Sequence, residues 1–407
     1  MFHRSAQRLI SRQAWAILAL VSLAHAPLDS AWAAGGTPMA EKSGYRCLYS
    51  RHVTQDASAC VVGYFDKNGV LIGEDITEHN IAQVAYYRVL LGKDEAGRLR
   101  ISSYYPGGQK RTDAIAVSRT DNMLAETSMG KLGADGAFRH WYEDGRSREV
   151  SAFREGRLTG FSQSWFPNGQ LQFDGEYVDD ALHGRIVTYY SSGQMKQESQ
   201  YKFGKLDGSS TVWHENGVKS AEARYDYGRL VGAFTTWHPN GKKKAYSQRH
   251  YDVIDGTYTE WYENGQKKRE ENYDRGALEG EATYWYANGQ RSALRRYTKD
   301  LSEGLSQMWY DNGQIKATIQ NKNGKENGPF FRWHWNGKKQ LVGQFVDGKL
   351  DGVVTRYELD GSSTESLYER GVLRTTRDQK DGQALASPPR HGEETPVALP
   401  MPMPKEN

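Results

Sequence analysis

The chain is predicted to be all-β: an extended array of about ten 24-residue β-hairpin repeats forming one long, twisted, single-layer sheet. Three observations predict it. Ten glycines, from Gly145 through Gly169 and Gly193 to Gly361, recur every 24 residues without insertion. A second series of nine, from Gly160 and Gly184 to Gly352, runs in phase with the first. Two aromatic columns keep the same period, one represented by Trp213, Trp237, Trp261 and Trp285 and the other by Tyr177, Tyr201, Tyr225 and Tyr273. A period held over more than half a chain means one small unit copied and stacked.

Each unit reads as a hairpin. Trp261-Tyr262-Glu263-Asn264-Gly265-Gln266 recurs as Trp285 to Gln290 and Trp309 to Gln314, and Asn-Gly between alternating residues is a strong signal for a type I′ turn. Asp144-Gly145, Ser192-Gly193 and Asp360-Gly361 vary the first residue and keep the glycine. The second series, as in Gly204-Lys205-Leu206-Asp207-Gly208, reads as the return turn to the next hairpin, its leucine in apolar contact. Equivalent strand positions fall on one face, so the aromatic columns should form ladders of stacked rings that advance about 10 Å per repeat. A lone hairpin is marginal in water, so stability is shared with neighbours. Arg249 and Asn321 interrupt the tyrosine column, and Ser302 and Glu326 the leucine one, marking expected weak joints.

Outside the array the chain changes character. Residues 1–33 read as a secretory signal: Arg4, Arg8 and Arg12 precede an apolar run from Ala14 to Ala24, and Ala31-Trp32-Ala33 supplies a small-x-small cleavage pattern. The run is shorter than the roughly 20 residues a membrane span requires, so a cleaved leader is favoured over an anchor, and no other stretch could cross a bilayer. The expected product is periplasmic or secreted. Residues 34–130 read as a β-rich N-terminal cap with degenerate repeats, 131–374 as the array, and 375–407, with six prolines from Pro388 to Pro404, as a disordered tail. The two cysteines, Cys47 and Cys60, are candidates for a disulfide in an oxidising compartment, with two free thiols as the alternative.

The chemistry-bearing residues point away from catalysis. His214, His238 and His334 occupy a column that elsewhere holds tyrosine or, at Phe166, phenylalanine, and copies about 10 Å apart cannot share an ion, so no metal site and no cofactor is expected. Ser128-Met129-Gly130-Lys131 matches an acylase pattern without its companion motifs. No phosphate-cradling loop or nucleophile elbow is present, so the chain is expected not to be an enzyme. The formal charge of +3 includes +2 from the leader and gives no argument for nucleic acid. Lys219, Lys243, Lys267 and Arg291 follow the first glycine by two residues in successive repeats and would stack into a basic rail beside Tyr262, Tyr286 and Tyr310. That rail is the candidate partner-binding site, for an acidic protein face or for anionic lipid or glycan; solvated lysines guarding the sheet edge are the competing explanation.

Tyr-x-x-Gly-x-Leu-x-Gly followed by Trp-Tyr-x-Asn-Gly-Gln, as in Tyr273 to Gly280 and Trp285 to Gln290, resembles the MORN repeat, especially its bacterial variant, over about Phe138 to Leu373. Proteins of that variant are commonly labelled YwqK-type antitoxins. The resemblance implies hairpin stacks used as binding surfaces for proteins, or in some relatives proposed for lipids, and no catalytic residues. With the leader, it leads to the expectation of an exported immunity or antitoxin-like inhibitor of a secreted toxin, with a phospholipase as a sensible target. The alternative is a cell-envelope module contacting anionic lipid or glycan through the tyrosines and the rail.

Overall fold

The computed structural model describes residues 60–73, 76, 80–117, 135–380 and 383–385, all within one compact unit. The expected leader, Cys47 and the segment after Leu385 lie outside the described residues. Cys60 is disulfide-bonded.

The first described strands form a five-stranded sheet in the order Leu71–Gly73, Cys60–Phe65, Tyr86–Lys93, Leu99–Tyr104, Ile115–Val117. Val62, Leu99, Ile101 and Ile115 of this sheet pack with Phe138 of the next strand, Gly136–Trp141. The backbone joins as well: Asp113 N–H donates to Arg139 O at 3.0 Å and Trp141 N–H to Arg111 O at 3.0 Å. These bonds occupy part of an edge that would otherwise invite another chain.

From Gly136–Trp141 to Gln383–Leu385 the strands pair antiparallel with their sequence neighbours in one sheet, and among the described residues its end strands do not pair with each other. Pairing continues past the boundary expected at 374, because Val372–Lys380 pairs with Ser363–Glu369 and Gln383–Leu385 adds to it. The expected tail therefore begins with strand.

The Asn-Gly turns are not of the type expected. At Asn264-Gly265 only the glycine has positive φ, and Gly265 N–H donates to Tyr262 O at 2.8 Å while Tyr262 N–H donates to Gln266 O at 2.9 Å. That is a type I turn closed by a left-handed glycine, not type I′. The cap repeats it at Gly69, Gly97 and Gly108. The I′ geometry sits at the opposite rim, in two-residue turns such as Phe203-Gly204 and Tyr227-Gly228, where both residues have positive φ.

The second glycine series is therefore not the return turn. It lies four residues further on, inside the return strand: Ser199 pairs with Ser210 and Tyr201 with Leu206, so Asp207, Gly208 and Ser209 together face Gln200. This bulge bends the strand. Gly208 has a φ of +113° and a Cβ there would lie 3.0 Å from Gln200 Cβ, so the position demands glycine.

The bend explains how a single layer acquires a core. One row across the sheet runs through Ser199, Ser210, Ala223, Phe234 and Ser247, all buried. A flanking row carries the tyrosines and leucines, including Tyr201, Leu206, Tyr225 and Leu230. Strand contacts run between sequence neighbours, so this face is enclosed by its own curvature and by tall side chains. Small residues in the central row allow the approach, and Ser151–Ser162 and Ser199–Ser210 satisfy one another at 2.8 and 2.7 Å. The expected weak joints are bonded: Asn321 donates to Ser306 Oγ at 2.8 Å, and Arg249 to Ser247 Oγ at 3.0 Å and Asp252 O at 2.9 Å.

Candidate recognition face

The tryptophan column does not stack ring on ring as expected. Trp213 is paired in register with Lys219, and Lys219 Nζ lies 5.9 Å from the ring centre of Trp237 in the following repeat. The same step recurs for Lys243 and Trp261 at 6.0 Å, Lys267 and Trp285 at 5.6 Å, and Arg291 and Trp309 at 5.5 Å. The cap starts the series with Lys110 over Trp141 at 4.9 Å. The rail residues thus form one row, interleaved with tryptophan as a cation–π ladder. Lys219 also pairs with Glu222 and Lys267 with Glu270, so part of the rail's charge is matched within the sheet.

Tyr262, Tyr286 and Tyr310 are half-buried beside this ladder, and each hydroxyl donates to the tryptophan carbonyl of the next repeat: Trp285 at 2.9 Å, Trp309 at 2.8 Å and Trp333 at 2.8 Å. The histidines of the column do the same work. His214 and His238 place Nε2 3.1 Å from Trp237 O and Trp261 O, and His334 lies 3.2 Å from Tyr357 O. A carbonyl can only accept, so each Nε2 carries the proton. The exchange between tyrosine and histidine is thus conservation of a donor, beyond the shape read from sequence. Tyr105 of the cap makes the same bond to Trp141 O at 2.9 Å.

Six of the turn asparagines form a second clamp. Asn264 Oδ1 accepts from Gln266 N–H at 2.9 Å, holding its own turn, while Nδ2 donates to Ala287 O at 2.6 Å in the next. Asn168, Asn216, Asn240, Asn288 and Asn312 make the equivalent donation. Aspartate has no such donor, and it stands at the first turn, Asp144, and the last, Asp360. At the opposite rim, Asp252 Oδ1 accepts from Leu230 N–H and Asp300 Oδ1 from Leu278 N–H, at 2.8 and 2.6 Å. Successive repeats are thereby held at fixed spacing.

A polar cluster that sequence reasoning did not single out fills the enclosed face near mid-array. Glu271, 4% exposed, accepts from Tyr273 OH at 2.9 Å and Tyr284 OH at 2.7 Å. Arg269 Nε donates to Glu260 at 2.7 Å, and Lys268 adds 3.0 Å to the same carboxylate. Burial pushes the Tyr273 and Tyr284 hydroxyls far above their ordinary range, and the Glu271 charge adds to that. Burial alone would raise the Glu260 carboxyl, but Arg269 and Lys268 more than offset it and hold it low. Tyr177, Tyr201 and Tyr225 are pushed up to about 12, chiefly by burial. The signal for the cluster was the alternation of Tyr258, Glu260, Arg269 and Glu271 at inward strand positions.

Among the described residues, no three His, Cys, Asp or Glu side chains converge as a metal site, and no helix is long and apolar enough to cross a membrane. An open depression of about 280 Å³ is lined by Thr298, Lys299, Leu301, Glu303 and Asn323.

A family model described as the MORN repeat variant matches residues 182–203, 254–275 and 302–323, three copies of the hairpin. No curated protein matches the chain. A solved structure titled "Crystal Structure of TcdB2-TccC3" aligns over 74% of this chain at 10% identity, with a TM-score of 0.12, too low to support a structural argument. The chain spans 20% of that structure's length. The molecule is a β-hairpin repeat scaffold, three of whose repeats match the MORN repeat variant model.

Proposed function

We propose that this scaffold is an exported, non-enzymatic protein-binding module, acting in the periplasm as an immunity or antitoxin-like inhibitor of a secreted effector, with a membrane-damaging lipase as the target class. The supporting observation is the tryptophan–cation ladder and its half-buried tyrosines, held in register by bonds such as those from Tyr262 and Tyr286 to the next repeat. Aromatic and arginine side chains dominate binding energy at protein interfaces, and rigidity lowers the entropy lost when they engage. The carboxylates at Glu222 and Glu270 weigh against anionic lipid or glycan as the main ligand, because they neutralise rail lysines. The test is retention of one stoichiometric envelope protein on the immobilised chain, together with loss of that protein's hydrolytic activity on titration. A variant carrying Lys243→Glu and Arg291→Glu should weaken both. Retention of no stoichiometric protein, or of one whose activity is untouched, counts against the reading.

A further inference from the structure

The rim of Asn-Gly turns changes character toward its C-terminal end. Two residues before the turn glycine stand Glu215, Glu263 and Asp311, but the turns at Gly337 and Gly361 carry Trp335 and Leu359, 65% and 47% exposed. Tryptophan is highly buried on average, and apolar side chains left together in water mark contact sites. The turn beneath the indole is fixed. Gly337 N–H donates to His334 O at 2.9 Å, and Asn312 Nδ2 donates to Trp335 O at 3.2 Å, so the ring projects from a held backbone. The charges around it are uncommitted: Lys338, Lys339 and Glu358 are exposed, and none of the three is in an ion pair among the described residues.

We infer that the chain's own residues 390–400 dock on this rim, seating Pro396 on Trp335 and covering Leu359. Reach is the first reason. Ser363 pairs with Gln379 and Lys380 with Gln383, so the last described hairpin closes at this same rim, two repeats from Trp335, or about 20 Å. From Leu385 to Pro396 a chain extended at about 3.1 Å per residue spans about 34 Å, which is enough to come back to the indole. Chemistry is the second. Pro396 and Pro400 bracket Val397 and Leu399, and proline-punctuated apolar runs seat on aromatic surfaces at little entropic cost. Charge order is the third. Leaving Leu385, the segment presents Arg390 and then Glu393-Glu394 just before Pro396, while the rim in the same direction presents Glu358 and then Lys338-Lys339 beside Trp335. The array is thereby covered at both ends, by the N-terminal sheet at Gly136–Trp141 and by this segment at its C-terminal turns.

Carbodiimide coupling of the full chain, read by mass spectrometry after proteolysis, is the test. It should join Glu393 or Glu394 to Lys338 or Lys339 within one molecule, so a mixture of isotopically light and heavy chains should give no mixed pairs. Trp335→Ser, at an exposed position where the fold does not depend on the ring, should lower that yield about tenfold or more. Hydroxyl-radical oxidation of Trp335 should run faster in a variant carrying Glu393→Lys and Glu394→Lys than in the parent. The proposal is overturned by the absence of any link to Lys338 or Lys339, by links spread evenly over Lys219, Lys243 and Lys338, by a Trp335→Ser variant that links like the parent, or by equal oxidation of Trp335 in the two chains. Mixed light and heavy pairs would overturn it as well, assigning the rim to the same segment of another copy.

Discussion

The repeats between Met308 and Tyr368 and those between Tyr258 and Arg295 share one backbone plan and differ in what fills the enclosed face. Toward the C-terminus, Ile319, Phe330, Leu341, Phe345, Leu350, Val354 and Tyr368 form one apolar cluster. In the middle, equivalent rows hold Glu260, Arg269, Glu271, Tyr273 and Tyr284 joined by hydrogen bonds. The bulged hairpin thus dictates where side chains point, but leaves open whether they are held by area removed from water or by satisfied polarity. The two solutions respond differently to damage. An apolar cluster loses stability in proportion to the volume removed, whereas a buried network fails when one member leaves the others unpaired.

The largest effect should come from the apolar region. Phe330→Ala removes a buried ring that lies 4.8 Å from Phe345 and should cost about 3–5 kcal/mol. Hydrogen exchange read repeat by repeat should show the loss concentrated between Met308 and Tyr368, because an array couples mainly to nearest neighbours. Equal loosening near Glu271 would deny the comparison.

In the polar region, Glu271→Ala should cost about 1–3 kcal/mol by stranding the hydroxyls of Tyr273 and Tyr284. Adding Tyr273→Phe and Tyr284→Phe should recover most of it, since the groups left unpaired are then gone. Thermal unfolding of the single and triple variants decides this, and failure of the triple to recover would assign the cost to lost packing.

Alkali provides the third contrast. Tyr273 and Tyr284 hold their protons in the folded state to well above the ordinary tyrosine value, so they stabilise the fold fully below about pH 10. Above it the unfolded chain releases protons that the folded chain keeps, and stability falls as pH rises. Tyrosinate absorbance should show delayed ionisation in the parent, and Glu271→Gln should advance it by removing the neighbouring negative charge.

The smallest effects belong to the clamps common to both regions. Tyr262→Phe deletes the bond to Trp285 O and should cost about 0.5–1.5 kcal/mol, while His238→Tyr should be nearly neutral because the donor is preserved. Both are measurable by denaturant unfolding. A destabilising His238→Tyr would refute the donor account.

Much of this organisation was legible before any coordinates. The 24-residue period, the glycines and the aromatic columns identify hairpins and a single sheet, since they record local conformational demands. The turn types were misassigned because Asn-Gly suits both a type I′ turn and a type I turn followed by left-handed glycine. Hydrogen bonding at Tyr262 and Gly265, rather than residue identity, separates them. The rail at Lys219, Lys243, Lys267 and Arg291 was visible as a row, but its interleaving with tryptophan was not.

What the sequence by itself determined is the unit: where each strand turns, which positions face inward, and that the units repeat. Only the tertiary structure decided how one unit grips the next: Tyr262 reaching Trp285, Asn264 reaching Ala287, Glu271 gathering two tyrosines, and cations entering the tryptophan column. The physical reason is range. Turn and strand preferences act over a few neighbouring residues, while these contacts join side chains a full repeat apart or across strands, and exist only once the register between hairpins is set.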